Sequence, residues 1–176
     1  MNNNKSFNTK TLVIMALLIA LSFVGSYLRI FGTIAFDSLP GFLAALLLGP
    51  IHGAAIGFLG HIFTALNSGF PLSVPLHLVI AATMAITMFG YGLTYKILKT
   101  RYSETAAFII SGIVGTILNA PFSLACSIGV LWIMAGREVA LGLLVMLPAL
   151  LLASVANIVL SIILFKALGR VWNKII

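Results

Sequence analysis

The feature that most limits how this chain can fold is a series of long apolar segments that together occupy most of its 176 residues. Hydrophobic residues make up 61% of the sequence and charged residues only 7%, whereas about one quarter of a soluble domain is charged. Backbone groups inside a lipid bilayer must be hydrogen-bonded internally. The segments are too long and too uniformly apolar for the alternating strands of a β-barrel. The sequence therefore predicts an all-α polytopic membrane protein.

Six segments are predicted to be transmembrane helices, and they are residues 11–28, 39–48, 53–66, 74–97, 106–133 and 140–168. The second and third are shorter than the roughly 20 residues that a spanning helix needs, so they could instead form one tilted helix and leave five spans. Gly49 and Pro50 lie between them, and a Gly-Pro pair favours the end of a helix. We therefore predict a six-helix transmembrane bundle, with residues 1–176 as a single domain.

The ten Lys and Arg residues lie between the apolar segments and near the termini, where they indicate membrane topology rather than a surface for nucleic acid. With six spans, eight of them share a side with both termini: Lys5, Lys10, Lys96, Lys99, Arg101, Lys166, Arg170 and Lys174. Arg29 and Arg137 lie on the other side. Five spans would divide the same residues seven against three. Because the cytoplasmic side carries the excess, we expect a multi-pass protein of the cell (plasma) membrane with both termini cytoplasmic.

Polar and aromatic side chains near the outer ends of these helices are the candidates for a binding site, because polar groups within a bilayer are energetically costly. The predicted substrate-binding residues are Phe36, Asp37, His61, Asn67, Phe70, His77, Asn119 and Asn157. Other interpretations stay open at this stage. The two asparagines of the last spans could only join helices, the histidines could be structural, and Asp37 could cap the helix that begins at Leu39.

Two predicted outer loops carry several of these candidates. The first, residues 29–38, is apolar enough to fold back over the bundle as a lid. In the second, Gly69 and Pro71 flank Phe70, a pattern typical of a turn that could direct the aromatic ring inward. Such rings could stack on a planar ligand, although aromatic residues are also common at membrane interfaces.

The sequence predicts neither a cofactor nor a metal site, and it does not predict an enzyme. His52, His61 and His77 lack the spacing of metal ligands, and Cys126 is the only cysteine. An intramembrane enzyme would need paired catalytic groups in one cavity, but Glu104 and Glu138 lie in loops and Asp37 has no acidic partner. An autonomous small channel or exporter is the remaining alternative class.

Small residues form possible packing surfaces on the first and third helices. Ala16 and Ala20 are four residues apart, and Gly53, Gly57 and Gly60 follow a similar spacing. Such faces allow another helix to approach closely. The other helix could belong to this chain or to a partner.

Three segments resemble the substrate-binding S-components of energy-coupling factor (ECF) vitamin transporters. They are Ala16-Leu-Leu-Ile-Ala20-Leu, the stretch from Phe36-Asp-Ser-Leu-Pro-Gly to Gly49-Pro50, and Gly60-His-Ile-Phe-Thr-Ala-Leu-Asn-Ser-Gly-Phe-Pro71. The resemblance implies a six-helix fold, an outward-facing vitamin pocket closed by the first loop, and docking through Ala16 and Ala20 on a transmembrane coupling subunit. Two cytosolic ATPases would supply the energy, and no nucleotide-binding motif is present in this chain.

The same segments look most similar to the subgroup associated with α-ribazole, a cobalamin precursor, with pantothenate and riboflavin S-components as alternatives. A neutral aromatic riboside would suit aromatic rings and polar acceptors. Pantothenate would instead require Arg29 or Arg137 to turn inward toward its carboxylate. The nickel and cobalt relatives carry an N-terminal Met-His site, which Met1-Asn2-Asn3 lacks.

Overall fold

A computed structural model describes residues 8–27, 29–30 and 34–175 of the chain. The first five helices are α1 (Thr9–Gly25), α2 (Leu39–Leu47), α3 (Pro50–Ser68), α4 (Val74–Leu98) and α5 (Glu104–Ala135). The last helix, α6, consists of Arg137–Gly142, a 3₁₀ turn at Leu143–Met146, and Leu147–Ile175. The predicted all-α, six-helix fold is confirmed. The N-terminal lysine at position 5 and the predicted end of the first span at Leu28 lie outside the described residues.

The break between α2 and α3 depends on Gly49. Its φ of 99° lies in the left-handed region, which only glycine adopts at little cost, and Pro50 then starts α3 with a fixed φ. The two helices form an antiparallel hairpin in which Gly53 packs directly against Ala45. They therefore do not merge into one tilted helix, so that interpretation of residues 39–66 is wrong.

The short helix α2 lies inside the bundle. Its nine residues extend only about 14 Å, which is too short to cross the membrane, and residues 40–46 are all buried. The ring of Phe42 meets that of Tyr91 on α4 edge to face, with centroids 5.1 Å apart. Met88 packs in the same core. Because α2 is covered on all sides, its position is fixed by the surrounding helices.

Three described helices are long and apolar enough to cross a membrane: α4, α5 and α6 up to Gly169. Only 17% of the most apolar part of α6 is buried, against 44% in α4, so α6 lies at the periphery and α4 near the centre. Large apolar side chains such as Ile133 and Val145 are exposed, as expected for a surface that contacts lipid. The chain is thus a multi-pass membrane protein.

The glycines of α3 pack within this chain. A Cβ at Gly57 would lie 2.8 Å from Met88 of α4, and one at Gly60 would lie 2.8 Å from Ser22 of α1. For α3, intrachain packing is therefore the correct interpretation of the small-residue face.

The loop between α1 and α2 contains two short antiparallel strands, β1 (Arg29–Ile30) and β2 (Ile34–Ala35). The strand β2 lies next to α6, so the loop passes across one end of the bundle from α1 toward α6. This hairpin is the only β-sheet among the described residues. Residues 31–33 of the predicted lid lie outside them.

Candidate functional site

A cavity of about 300 Å³ opens at the end of the bundle that the α1–α2 loop crosses. Its walls come from the start of α2 and from α3, α4, α5 and α6. Four of the eight predicted binding residues line it: Asp37, His61, His77 and Asn119. The helical hairpin of α2 and α3 brings the first two together, because it sets the start of α2 beside the second half of α3.

Asp37 and the two histidines form a row along one wall. Asp37 Oδ2 lies 3.9 Å from His61 Nδ1, and the two side chains are 13% and 12% exposed. His61 Nε2 is 3.1 Å from His77 Nδ1. His77 Nε2 is 2.9 Å from the carbonyl oxygen of Pro71. The row therefore connects the segment before α2 to the turn between α3 and α4.

Asp37 is not the cap of α2. The N-cap residue is Ser38, and its side chain makes no capping hydrogen bond. The capping interpretation of Asp37 is thus wrong, and its carboxylate faces His61 and the cavity instead. The first residue of a helix can be predicted from sequence only to within one or two positions. A polar residue just before a helix therefore does not by itself identify the N-cap.

The turn between α3 and α4 holds two side-chain-bearing residues in the left-handed region. Phe70 has a φ of 51° and Leu72 a φ of 72°, a conformation that costs a non-glycine residue of the order of 1–2 kcal/mol. The turn places the Pro71 carbonyl on His77, and Leu72 at the cavity. Strained backbone of this kind is concentrated at functional sites.

Asn119 reaches the cavity from an irregular part of α5. Residues Leu118–Phe122 form a π-helical turn that contains Pro121, which lacks the N–H for a regular helical hydrogen bond. The side-chain oxygen of Asn119 is buried and has no hydrogen-bond partner in this structure. A buried acceptor without a partner is costly, so a ligand that donates to it would remove that cost.

The hydroxyl groups around the cavity are used within the protein. Thr64 donates to the Gly60 carbonyl, and Ser68 donates to the Thr64 carbonyl. A hydrogen bond of 2.7 Å between the hydroxyl oxygens of Ser123 and Thr83 connects α5 to α4. These groups stabilise the walls and leave few donors for a ligand.

The rest of the lining is apolar. It is formed mainly by Leu76, Ile80 and Met84 of α4, Leu124 of α5, and Leu143, Met146, Leu150 and Ala153 of α6. No Lys or Arg side chain lies among the described lining residues. The cavity thus combines an apolar body with a small number of polar acceptors, as is usual for small-molecule sites.

Four predicted binding residues lie outside this lining. Asn67 is exposed and accepts a hydrogen bond from the Tyr27 hydroxyl, while its neighbour Ser68 lines the cavity. Phe70 contacts the His77 ring edge to face at 5.8 Å. Asn157 is buried and donates to the Ala153 carbonyl. Phe36 packs its backbone against Gly25 of α1. For these four, contact with a ligand stays a prediction.

Ser38, Ser123 and Ser127 line the cavity, and they were not among the candidates from sequence. Serines are frequent in packed membrane helices, so their residue type alone does not mark a site. A usable signal was present for Ser123 and Ser127, since both follow Pro121 on α5 at helical spacing from Asn119.

Other candidates of the sequence lie away from the cavity. The third histidine, His52, contacts the Leu48 carbonyl at the opposite end of α3. Arg137 lies over the ring of Trp132, 5.9 Å from its centroid. Among the described residues, no group of three or more His, Cys, Asp or Glu side chains could hold a metal ion. Ala16 and Ala20 are exposed on α1, whose opposite face is buried.

A protein-family model matches this chain. Residues 10–170, nearly the whole chain, match the family model described as ECF transporter, substrate-specific component. No curated protein and no solved structure gives a significant match.

Proposed function

Because the chain belongs to the family of substrate-specific components of ECF transporters, we propose that its cavity binds a vitamin or vitamin precursor, with α-ribazole as the first candidate. Members of this family are substrate-binding subunits and not enzymes. They associate with an ECF energising module and with a small substrate. The chain is therefore not an autonomous transporter. The cavity is the proposed substrate site, because it combines apolar walls with polar acceptors.

The observation that carries the proposal is the buried, unpartnered side-chain oxygen of Asn119 at an otherwise mostly apolar cavity. A purely structural asparagine would be expected to pair with a neighbouring helix. Together with Asp37, Asn119 offers acceptors for ligand hydroxyl groups, while Ile80 and Met84 offer apolar contact for a ring.

α-Ribazole fits these groups better than pantothenate does. Its ribose hydroxyls would donate to Asp37 and Asn119, and its planar base would lie against the apolar wall. Pantothenate carries a carboxylate, which would be placed beside the carboxylate of Asp37 with no Arg or Lys among the described lining residues. Riboflavin has no carboxylate and is the second candidate.

The transport step is proposed to depend on Ala16 and Ala20. Both are exposed and small, so a coupling helix could approach the backbone of α1 closely. In the proposed cycle the cavity faces outward, both termini are cytoplasmic, and two cytosolic ATPases drive the release of substrate through the transmembrane coupling subunit.

The cargo is tested with the purified full-length protein in mild detergent. Mass spectrometry should identify α-ribazole or a related riboside as a co-purified molecule, and calorimetry should show saturable binding of added α-ribazole. Binding no tighter than to an unrelated membrane protein would contradict this cargo. Co-purification of riboflavin or pantothenate would identify that vitamin as the cargo instead of α-ribazole.

Docking is tested by uptake in vesicles that contain the energising module. We expect Ala16→Trp to abolish uptake and to leave substrate binding unchanged, because Ala16 lies away from the cavity. Ala125→Trp is the matched control, since Ala125 is likewise exposed but lies on α5. Normal uptake by Ala16→Trp, or equal loss in both variants, would contradict docking through this face.

A further inference from the structure

The hydrogen bonds of the two cavity histidines assign their tautomers. The Pro71 carbonyl can only accept, so His77 Nε2 must donate across the 2.9 Å contact. A neutral His77 then carries a lone pair on Nδ1, which lies 3.1 Å from His61 Nε2. A neutral His61 therefore carries its single proton on Nε2. Its other nitrogen, Nδ1, is left as an acceptor that faces Asp37.

His61 Nδ1 and the Asp37 carboxylate thus form a pair of acceptors without a donor between them. Their separation of 3.9 Å is too long for a direct hydrogen bond. A single N–H or O–H group could lie within about 3 Å of both atoms, which is ordinary hydrogen-bonding distance. Both side chains are largely buried and both line the cavity, so solvent screens the pair only weakly.

Among the described residues, no neighbouring hydroxyl group is found to donate into this gap. The hydroxyls of Thr64 and Ser68 donate to carbonyls of their own helix. Asp37, His61 and His77 are the only titratable groups among the described lining residues. Asn119, which also lines the cavity, adds another acceptor oxygen. The cavity is therefore rich in acceptors and poor in donors.

We propose that Asp37 and His61 form a subsite for a hydrogen-bond donor of the substrate, an ammonium, amine or hydroxyl group, and that this subsite rejects a carboxylate. The inference rests on the proposed function of the cavity as the substrate pocket. His77 is a positioning residue in this subsite. It holds the proton of His61 on Nε2 and so keeps Nδ1 available to the ligand.

The test uses three probes that share one ring and differ in one group: benzylamine, benzyl alcohol and benzoate. Each is titrated into the full-length protein labelled with ¹⁵N-histidine. We expect His61 to show an unprotonated Nδ1, and benzylamine to shift that resonance saturably with a Kd at least tenfold below that of benzoate. Benzyl alcohol should fall between them. His52 is an internal reference with the opposite tautomer, because its Nδ1 contacts the Leu48 carbonyl.

Variants separate direct contact from positioning. His61→Phe keeps the ring shape and should remove the preference for benzylamine, whereas His52→Phe, outside the cavity, should not. His77→Gln can still accept from His61 and donate to Pro71, so it should retain the preference that His77→Leu loses. Measurements on the unmodified protein do not depend on whether these variants fold.

A protonated Nδ1 on His61, or benzoate binding as tightly as benzylamine, would overturn the subsite. These results are independent of the cargo experiment. Failure of α-ribazole to bind would reject that cargo while leaving a donor-selective subsite, and equal binding of the three probes would reject the subsite while leaving the cargo.

Discussion

Replacement of Gly53 by alanine tests whether the α2–α3 hairpin positions the cavity. A Cβ at this position would lie 2.6 Å from the Cβ of Ala45 and 2.8 Å from its Cα. Ordinary van der Waals contact begins near 3.4 Å. Because the obstacle includes the backbone of α2, a side-chain rotation cannot relieve the clash. The two helices must move apart by roughly 0.8 Å at this point.

The expected cost follows from the size of this displacement. Overpacking by one methyl group in a close-packed interior costs about 1–3 kcal/mol. For a domain of this size, a loss of about 2 kcal/mol corresponds to a fall in Tm of roughly 4–8 °C. Asp37 lies two residues before the start of α2 and would move relative to His61 of α3. Loss of one ligand hydrogen bond, worth up to about 1.5 kcal/mol, would raise Kd by about tenfold.

The assay is thermal unfolding in detergent together with substrate binding. Gly129→Ala is the matched control, because Gly129 is also helical and a Cβ there would meet no atom within 4 Å. Any general benefit of alanine in a helix, about 1 kcal/mol, applies to both variants and cancels in the comparison. Equal Tm and equal Kd for the two variants would refute the argument that close contact of α2 and α3 sets the site.

Three further predictions follow from individual contacts. Asn119→Leu should weaken substrate binding at least tenfold but should not lower Tm, because it removes a buried acceptor that has no partner; a lower Tm with unchanged binding would show that Asn119 is structural. Ser123→Ala should lower the free energy of unfolding by about 0.6 kcal/mol, since it removes the 2.7 Å contact with Thr83; a double-mutant cycle with Thr83→Val measures this, and no coupling would contradict it. Leu72→Gly should raise stability by about 1 kcal/mol, because the φ of 72° is no longer strained; a decrease in Tm would show that the Leu72 side chain contributes more than its backbone costs.

Much of the fold follows directly from the sequence. Long apolar segments with few charges leave transmembrane helices as the only consistent structure, because backbone groups must be paired within lipid. The distribution of Lys and Arg favoured six spans over five by only one residue. Gly49 and Pro50 predict the break between α2 and α3 more directly, because their backbone chemistry ends one helix and starts the next. Polar side chains in apolar surroundings also direct attention to His61, His77 and Asn119, because their burial is costly without a function or a partner.

Only the tertiary structure decided which of the candidate residues meet. In a soluble protein the apolar face of a helix shows what is buried, but in a membrane nearly every face is apolar, so periodicity does not separate the core from the lipid surface. The sequence indicated Asn67, whereas its neighbour Ser68 lines the cavity, and it did not show that the π-helical turn at Pro121 brings Asn119 there. The meeting of Asp37 and His61 depends on the packing of α2 against α3, a contact between helices that no local pattern encodes.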